Sequence, residues 1–185
     1  MSIQAGTYRL GPDNSTLSVR TGRTGAAAKA GHNLLFHVSS WEATIVAGVD
    51  PAAATVELSA DGASLRVIEG TGGMQSLGDE DRAEIEKTID EDVLKRQGVT
   101  FRSTSVQPSA DGNGQRVQGD LTLRGTTRPL AFDVTVDGAG KLAATAVIKQ
   151  TDWKMKPYSA LFGALKVVDE VEVAIDATLP AAQSR

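Results

Sequence analysis

The sequence predicts an all-β protein with one helix, and three observations support this fold class. Apolar and polar residues alternate in short segments along most of the chain, as they do in half-buried strands. Runs rich in Gly, Asn, Asp and Pro separate these segments and are typical of tight turns. One segment, residues 78–98, has a helical period instead. Roughly ten strands joined in this way form an antiparallel sheet that either packs as a sandwich or closes into a barrel.

The composition excludes several classes of function. The chain has 185 residues, the length of one ordinary domain, so we expect residues 1–185 to form a single domain. It has no cysteine, which excludes a disulfide framework, a thiolate nucleophile and a Cys-ligated metal. The net charge is −4 and no basic run occurs, so no nucleic acid partner is expected. The sequence contains no apolar run long enough to span a membrane, and its first residues do not resemble a secretion signal. We therefore expect a cytoplasmic protein without a transmembrane segment.

Each predicted strand has one apolar and one polar face. In "VQGDLTLRG", Val117, Gly119 and Leu121 point one way, because successive side chains on a strand face opposite sides. The other C-terminal strands are "PLAFDVTV", "KLAATAVIK" and "EVEVAIDATL". The N-terminal strands are "TYRL", "STLSVRT", the long "NLLFHVSSWEATIVAG", "ATVELSA", "ASLRVIE" and "VTFRSTSVQ".

The segment that breaks the β pattern is predicted to be one amphipathic helix over about residues 79–96. Three apolar residues recur at every fourth position, acids fill the first turn, and basic residues with a glycine end the segment, as the helix dipole favours. We expect the helix to cover the outside or an open end of the sheet, with its acids in solvent. These residues are Ile85, Ile89 and Val93; Asp79, Glu80 and Asp81; and Lys95, Arg96 and Gly98.

Small residues on the inward faces indicate a cavity. Only 4% of the residues are aromatic, and small inward residues leave space in an eight-stranded barrel for one ligand. Alternatively, the helix and loops plug this space, or the sheets pack as a sandwich. A cavity lined by aliphatic side chains has few groups to orient a polar substrate and suits an apolar chain. The small inward residues are Ala60, Gly119, Ala144, Ala146 and Ala177.

Four segments of the chain carry a resemblance to a known family. They are "AGHNLLFHV" (30–38), "EDVLKRQGVTFRST" (91–104), "GDLTLRGTTRPLAFDV" (119–134) and "IKQTDWKMKPYSALFGALKVVDEVEVAI" (148–175). Together they resemble the YceI-like family of lipid- and polyisoprenoid-binding proteins. The resemblance implies an extended, lipocalin-like antiparallel β-barrel of about eight strands. It also implies an amphiphilic isoprenoid, such as a quinone or polyprenyl chain, in the bore, with no catalytic residues and no cofactor. The chain begins directly with a strand and therefore looks like the cytosolic branch, which lacks a signal peptide.

Two groups of residues are candidate ligand contacts. Residues expected to line the cavity are Leu34, Phe36, Val38, Phe101, Leu121, Phe132, Val134, Ala144, Ala146 and Val173. Residues expected at the mouth or gate are His32, Asn33, Trp153, Tyr158 and Phe162. The three aromatic residues share a loop between two strands with Lys154 and Lys156, and the alternative is that they form a satellite core under that loop.

The two histidines are not expected to bind a metal. His32 and His37 lie five residues apart, which on a regular strand puts them on opposite faces and about 17 Å apart. His32, next to Asn33, could hydrogen-bond a ligand head group at a barrel mouth, or could tether the preceding loop. For His37 we expect a packed or surface position without a functional role.

We therefore predict a non-enzymatic protein that binds, stores or transports an apolar amphiphile, such as an isoprenoid, quinone or fatty-acid-like lipid. One alternative is a small enzyme that uses His32 as acid or base on a ligand in the cavity. Another is a barrel with a filled core that acts only as an interaction module. An exposed edge or barrel mouth could also pair two subunits as a homodimer.

Overall fold

The structure is a computed structural model that describes residues 3–179, and its main feature is a large, curled antiparallel sheet. The strands are β1 (Gly6–Leu10), β2 (Ser15–Thr21), β3 (Arg23–Thr24), β4 (Asn33–Val38), β5 (Trp41–Ala47), β6 (Thr55–Ala60), β7 (Leu65–Thr71), β8 (Val99–Pro108), β9 (Gln115–Leu123), β10 (Thr126–Val136), β11 (Lys141–Lys149), β12 (Ser159–Ala160), β13 (Leu165–Val167) and β14 (Glu170–Thr178). One α-helix, α1 (Asp79–Thr88), lies between β7 and β8.

The large sheet has the strand order β1-β5-β6-β8-β9-β10-β11-β14-β2-β4-β7, and β12, β13 and β3 form a separate small sheet. Three pairs of strands, β1–β2, β4–β5 and β6–β7, are the two halves of long bent strands. The halves pair with different neighbours: β2 pairs with β14 and β4, whereas β1 pairs with β5. The sheet therefore curls back on itself as a ring of eight long strands, in agreement with the lipocalin-like barrel expected from the sequence.

Ser64 holds the bend between β4 and β5. Its buried hydroxyl donates to the carbonyl groups of Ser40 (3.2 Å) and Asp61 (2.8 Å) and accepts from the backbone N–H of Ser40 (3.0 Å). At the bend, the side chains that point inward change from even-numbered to odd-numbered residues: Phe36 and Val38 point inward before it, and Trp41 points inward after it. This shift explains why residues 33–47 look mixed on both faces when they are read as one straight strand.

The helical segment is shorter than predicted. α1 ends at Thr88, and residues Ile89–Val93 form a π-helical turn instead of continuing the α-helix to residue 96. Lys95 and Arg96 have positive φ angles of 55° and 58°, which no α-helix contains. At the start, the Gly78 N–H donates to Asp81 Oδ2 at 2.8 Å, and the acidic first turn is favourable to the helix dipole.

α1 covers the free edge of β7. Arg82 Nη1 donates to the carbonyl groups of Val67 (2.9 Å) and Ile68 (3.1 Å). The N–H of Val67 donates to Glu86 Oε1 at 2.8 Å. An edge strand leaves such backbone groups unpaired, so these two side chains replace the missing neighbouring strand. Among residues 3–179, no helix is both long and apolar enough to cross a membrane.

Candidate functional site

A cavity of about 830 Å³ runs through the ring of strands. Its volume falls in the range of small-molecule sites, which is about 300–1,000 Å³. At one end it reaches Ile3, Gly48 and Gly114, and at the other it reaches Leu34 and Tyr158. We call the first the turn end, because the short turns 48–54, 109–114 and 137–140 surround it. The second is the loop end, which the segments 22–32, 72–78 and 150–169 surround.

The inward faces of the strands provide the walls. All ten residues predicted to line the cavity do so: Leu34, Phe36, Val38, Phe101, Leu121, Phe132, Val134, Ala144, Ala146 and Val173. On β10, residues that point inward, such as Phe132 and Val134, are nevertheless only partly buried. A packed core would exclude solvent from these side chains, so their partial exposure marks open space inside the ring. The filled-barrel alternative does not fit this interior, whereas direct contact of these residues with a ligand stays a prediction.

Few polar side chains reach the cavity. Among them are the amides of Gln115 and Gln150. The Gln150 amide nitrogen is occupied, because it donates to the carbonyl groups of Val168 (3.1 Å) and Asp169 (3.3 Å). The acidic lining residues Asp81 and Glu84 lie on α1 and are exposed to solvent. The chemistry of the interior is therefore that of an apolar site with isolated hydrogen-bonding groups.

Gly119 shows that small inward residues do not all create cavity space. A Cβ atom placed on Gly119 would lie 2.5 Å from the ring of Phe101. The Phe101 ring therefore occupies the space over Gly119 and packs against Phe132, with 5.3 Å between ring centroids. By contrast, Ala144 and Ala146 do border the cavity. The sequence pattern cannot separate these cases, because it does not reveal which large neighbour covers a small residue.

His32 lies in the loop end but not among the residues that line the cavity. Its Nε2 atom is 2.6 Å from the carbonyl oxygen of Gln75, so the ring joins the loop before β4 to the segment before α1. Asn33, the first residue of β4, is exposed. His37 lies on β4 opposite Ser18 and Arg66, at a position whose side chain faces away from the cavity. The structure thus places the two histidines in separate surroundings, and a head-group contact by His32 or Asn33 stays a prediction.

The three predicted gate aromatics have three different positions. Trp153 is buried, packs in the cluster of Phe101 and Leu121, and donates from Nε1 to the Leu121 carbonyl at 2.9 Å. Tyr158 borders the cavity and is about half exposed. Phe162 is fully exposed and does not line the cavity. The loop therefore combines a satellite core at Trp153 with an exposed tip at Phe162, and its role as a gate stays a prediction.

The structure adds cavity residues that the sequence analysis did not identify. Ile85 and Ile89 of the helical segment border the cavity, so this segment forms part of the wall. Met155 is buried and lines the loop end. The regular spacing of apolar residues over 85–93 is the sequence feature that could have identified Ile85 and Ile89. The loop around Met155 has no such spacing. Within residues 3–179, no group of three or more His, Cys, Asp or Glu side chains is arranged to hold a metal ion.

Comparison with solved structures shows the same fold in bacterial proteins. Burkholderia cenocepacia BcnA is 19% identical, with a TM-score of 0.60 over 88% of this chain and 94% of that chain. The Campylobacter jejuni YCEI protein is 15% identical, with a TM-score of 0.56 over 79% of this chain and 82% of that chain. At these identities the likeness concerns the fold alone.

Comparison of sequences points in the same direction. Two UPF0312 proteins, from two strains of Pseudomonas putida, are 44% identical over 50 residues. This stretch is 27% of the present chain and 26% of each relative, so the match spans about a quarter of the length of these relatives. A family model described as the YceI-like domain matches residues 8–179. This match covers nearly all of the chain and supports the binding of an apolar ligand in general. The chain therefore belongs to the YceI-like family.

Proposed function

We propose that the protein binds an amphiphile with a long apolar chain in the cavity, for storage or transport, and does not catalyse a reaction. The ligand classes proposed are an isoprenoid, a quinone and a fatty-acid-like lipid. The observation that carries the proposal is an apolar cavity of about 830 Å³ inside the ring of strands. Apolar cavities stay dry and take up apolar molecules, because water gains too few hydrogen bonds inside them. The polar head group of such a ligand would meet one of the few polar side chains of the cavity, such as Gln115, whose buried Oε1 accepts no hydrogen bond within residues 3–179.

The alternative of an enzyme with His32 as acid or base has less support. A general base must lie within hydrogen-bonding reach of the substrate's proton, and its ring nitrogen must be free to take it. His32 does not line the cavity, and its Nε2 is 2.6 Å from the Gln75 carbonyl oxygen. This contact favours a structural role in joining two loops. Under our proposal, His32→Ala lowers the stability of the loop end and leaves ligand uptake in place.

Native mass spectrometry of the purified protein, followed by organic extraction, tests the proposal. We expect adducts with the mass of one lipid per chain, which disappear after extraction and return when farnesol or a fatty acid is added. As a control, a water-soluble sugar is added to the protein from which lipid has been extracted, and this sugar should not bind. A protein that is isolated empty and takes up neither farnesol nor a fatty acid would contradict the proposal.

Other expectations from the sequence accompany this proposal. We propose that the chain acts as one domain in the cytoplasm, without a nucleic acid partner, and that two chains can associate as a homodimer. Within residues 3–179, β1 pairs with β5 alone, and its other edge is a surface to which a strand of a second chain could be added. Cell fractionation tests the location, and sedimentation at several concentrations tests the dimer. A concentration-independent monomer would contradict the homodimer.

A further inference from the structure

An exposed apolar tip projects from the loop end of the barrel. We define the tip loop as residues 154–166. Within it, Phe162 is fully exposed, and Leu161 and Tyr158 are 56% and 46% exposed. Leu161 and Phe162 have φ angles of 52° and 54°, in the left-handed region that bulky side chains rarely adopt. The fold thus tolerates a strained backbone at the point where two large apolar side chains meet solvent, which is a typical feature of functional loops.

The tip loop has a defined structure rather than that of a loose connection. β12 pairs with β13 inside it, and β13 pairs with β3 of the neighbouring segment. The Ala27 N–H donates to the Ala164 carbonyl at 2.9 Å. A Cβ atom on Gly31 would lie only 2.7 Å from Leu165, so these two segments are closely packed. This support holds the backbone that carries Phe162 against β3 and residues 27–31.

The charge around the tip is opposite to that of the whole protein. The tip loop, residues 154–166, contains three lysines and no acidic residue, in a chain of net charge −4. Lys154, Lys156 and Lys166 are exposed, and none of them forms an ion pair within residues 3–179. Their charges are therefore available to an anionic partner. An exposed aromatic side chain among free lysines is the arrangement that binds the interface of an anionic bilayer.

The opposite end of the barrel has the reverse character. Asp50, Asp111 and Asp137 accept backbone N–H groups in the three turns of the turn end, at 2.8–3.0 Å. Hydrogen bonds from Ser109 to Asp111, and from the Lys141 and Ala139 N–H groups to Asp137, lower the pKa of these two carboxyl groups. They therefore stay ionised at neutral pH. An anionic surface repels this end and attracts the tip loop.

The acids of α1 also lie towards the loop end, but away from the tip. α1 is bound to β7 through Arg82 and Glu86, whereas the tip loop contacts the segment next to β2. β2 and β4 lie between these two positions in the sheet. The lysines of the tip loop and the acids of α1 therefore lie on different sides of the loop end.

We propose that the tip loop docks the protein onto the surface of an anionic lipid bilayer. Leu161 and Phe162 enter the interface, and Lys154, Lys156 and Lys166 lie at the level of the lipid phosphates. Tyr158 belongs both to the tip loop and to the cavity wall, so docking places the loop end of the cavity against the membrane. The inference deepens the proposed function by naming the surface with which the cavity exchanges its ligand.

Co-sedimentation with lipid vesicles tests the docking. The protein should bind vesicles that contain phosphatidylglycerol, should bind pure phosphatidylcholine much more weakly, and should be released by salt. Phe162→Ser should weaken binding by about tenfold or more, since burial of a phenylalanine side chain is lost. Lys154→Gln with Lys156→Gln should weaken it about fivefold for each lysine. Val49→Ser and Lys141→Gln, which alter exposed residues near the turn end, are the matched controls and should bind as the unaltered protein does.

Three results would overturn the docking proposal. They are a lack of binding to either vesicle, equal binding to both, and unaltered binding by the tip variants. A protein partner at the tip would give the first of these. Uptake of a fluorescent fatty acid from solution, measured on the Lys154→Gln, Lys156→Gln variant, separates this proposal from the proposed function. If the variant takes up the fatty acid fully but binds vesicles more weakly, docking is supported. If the unaltered protein takes up the fatty acid but binds no vesicles, docking alone is contradicted. If the protein binds vesicles but takes up no fatty acid, the proposed function alone is contradicted.

Discussion

At the scale of residues, the interior depends on which neighbour covers each small side chain. Gly119 and Ala144 share the inward parity of their strands, but Phe101 covers Gly119 and open space borders Ala144. The alternation of the sequence is sufficient to predict the parity, and all ten predicted wall residues lie on the wall. It is insufficient to predict that Trp153 is buried, because this depends on a hydrogen bond to the Leu121 carbonyl, 32 positions away in the chain.

Gly119→Ala should destabilise the protein. The added methyl group would collide with the Phe101 ring and with the backbone of Arg102, and such overpacking costs about 1–3 kcal/mol. Urea unfolding measures the loss. The control is Gln118→Ala, which alters the exposed neighbour on β9 and should change the free energy of unfolding by less than about 0.5 kcal/mol. Equal stability of Gly119→Ala and the unaltered protein would contradict the packing described for Phe101.

Asp169 should contribute to a loss of stability in acid. Its carboxylate accepts from the Thr151 hydroxyl (2.6 Å) and N–H (2.9 Å), and the hydroxyl bond is the main reason that its pKa is lowered. A lowered pKa in the folded state stabilises the protein above the unfolded pKa, and this stabilisation is lost as the pH falls through the folded value. The stability difference between Asp169→Ala and the unaltered protein should therefore shrink below about pH 4.

Thermal unfolding between pH 7 and pH 2.5 measures this difference. Asp152→Ala is the control, since it removes an exposed carboxylate of the same segment that has no hydrogen bond within residues 3–179. A stability difference for Asp169→Ala that is constant over the whole range would show that the Thr151 contact does not act through ionisation.

At the scale of elements, the sequence predicts the regular parts of the fold and misses its irregular parts. The ten predicted strands all occur, and the longest of them divides into β4 and β5 at the bend that Ser64 holds. β3, β12 and β13 were not predicted, because strands of two or three residues are too short to have a period. The end of α1 at Thr88 was not predicted either, since the apolar spacing continues through the π-helical turn to Val93.

The double variant Arg82→Ala, Glu86→Ala should loosen α1 from the sheet. It removes the three hydrogen bonds that pair the edge of β7, so the Val67 amide should exchange its hydrogen faster and the exposed edge should promote association. Hydrogen exchange measured by NMR or mass spectrometry reports both the edge and the helix. Glu80→Ala, Lys87→Ala is the matched control, because it removes one acid and one base on the exposed side of the same helix. Equal exchange in the two variants would contradict the covering role of α1.

At the scale of the whole molecule, the barrel has an apolar interior and two different ends. The ring of eight long strands leaves a cavity of about 830 Å³ because many of its inward residues are small or aliphatic. Capping aspartates surround the turn end, and lysines surround the exposed Phe162 at the loop end. The fold class and the wall could be predicted because they depend on the alternation within each strand. The difference in charge between the two ends could not be predicted, because it depends on which loops the closed ring brings together.

Filling the cavity while leaving the outer surface intact is the most direct test of the central claim that the interior binds an apolar ligand. The variant Ala144→Phe, Ala146→Phe places two large rings in the cavity, and Ala131→Phe, Ala143→Phe places the same two rings on exposed outward positions. The measurement is equilibrium binding of a fluorescent fatty acid, with displacement by farnesol, to both folded variants.

We predict that the inward pair lowers the affinity about tenfold or more, equivalent to at least about 1.4 kcal/mol, and that the outward pair binds as the unaltered protein does. Equal affinity of the two variants, with both folded, would contradict the claim that the ligand lies inside the barrel.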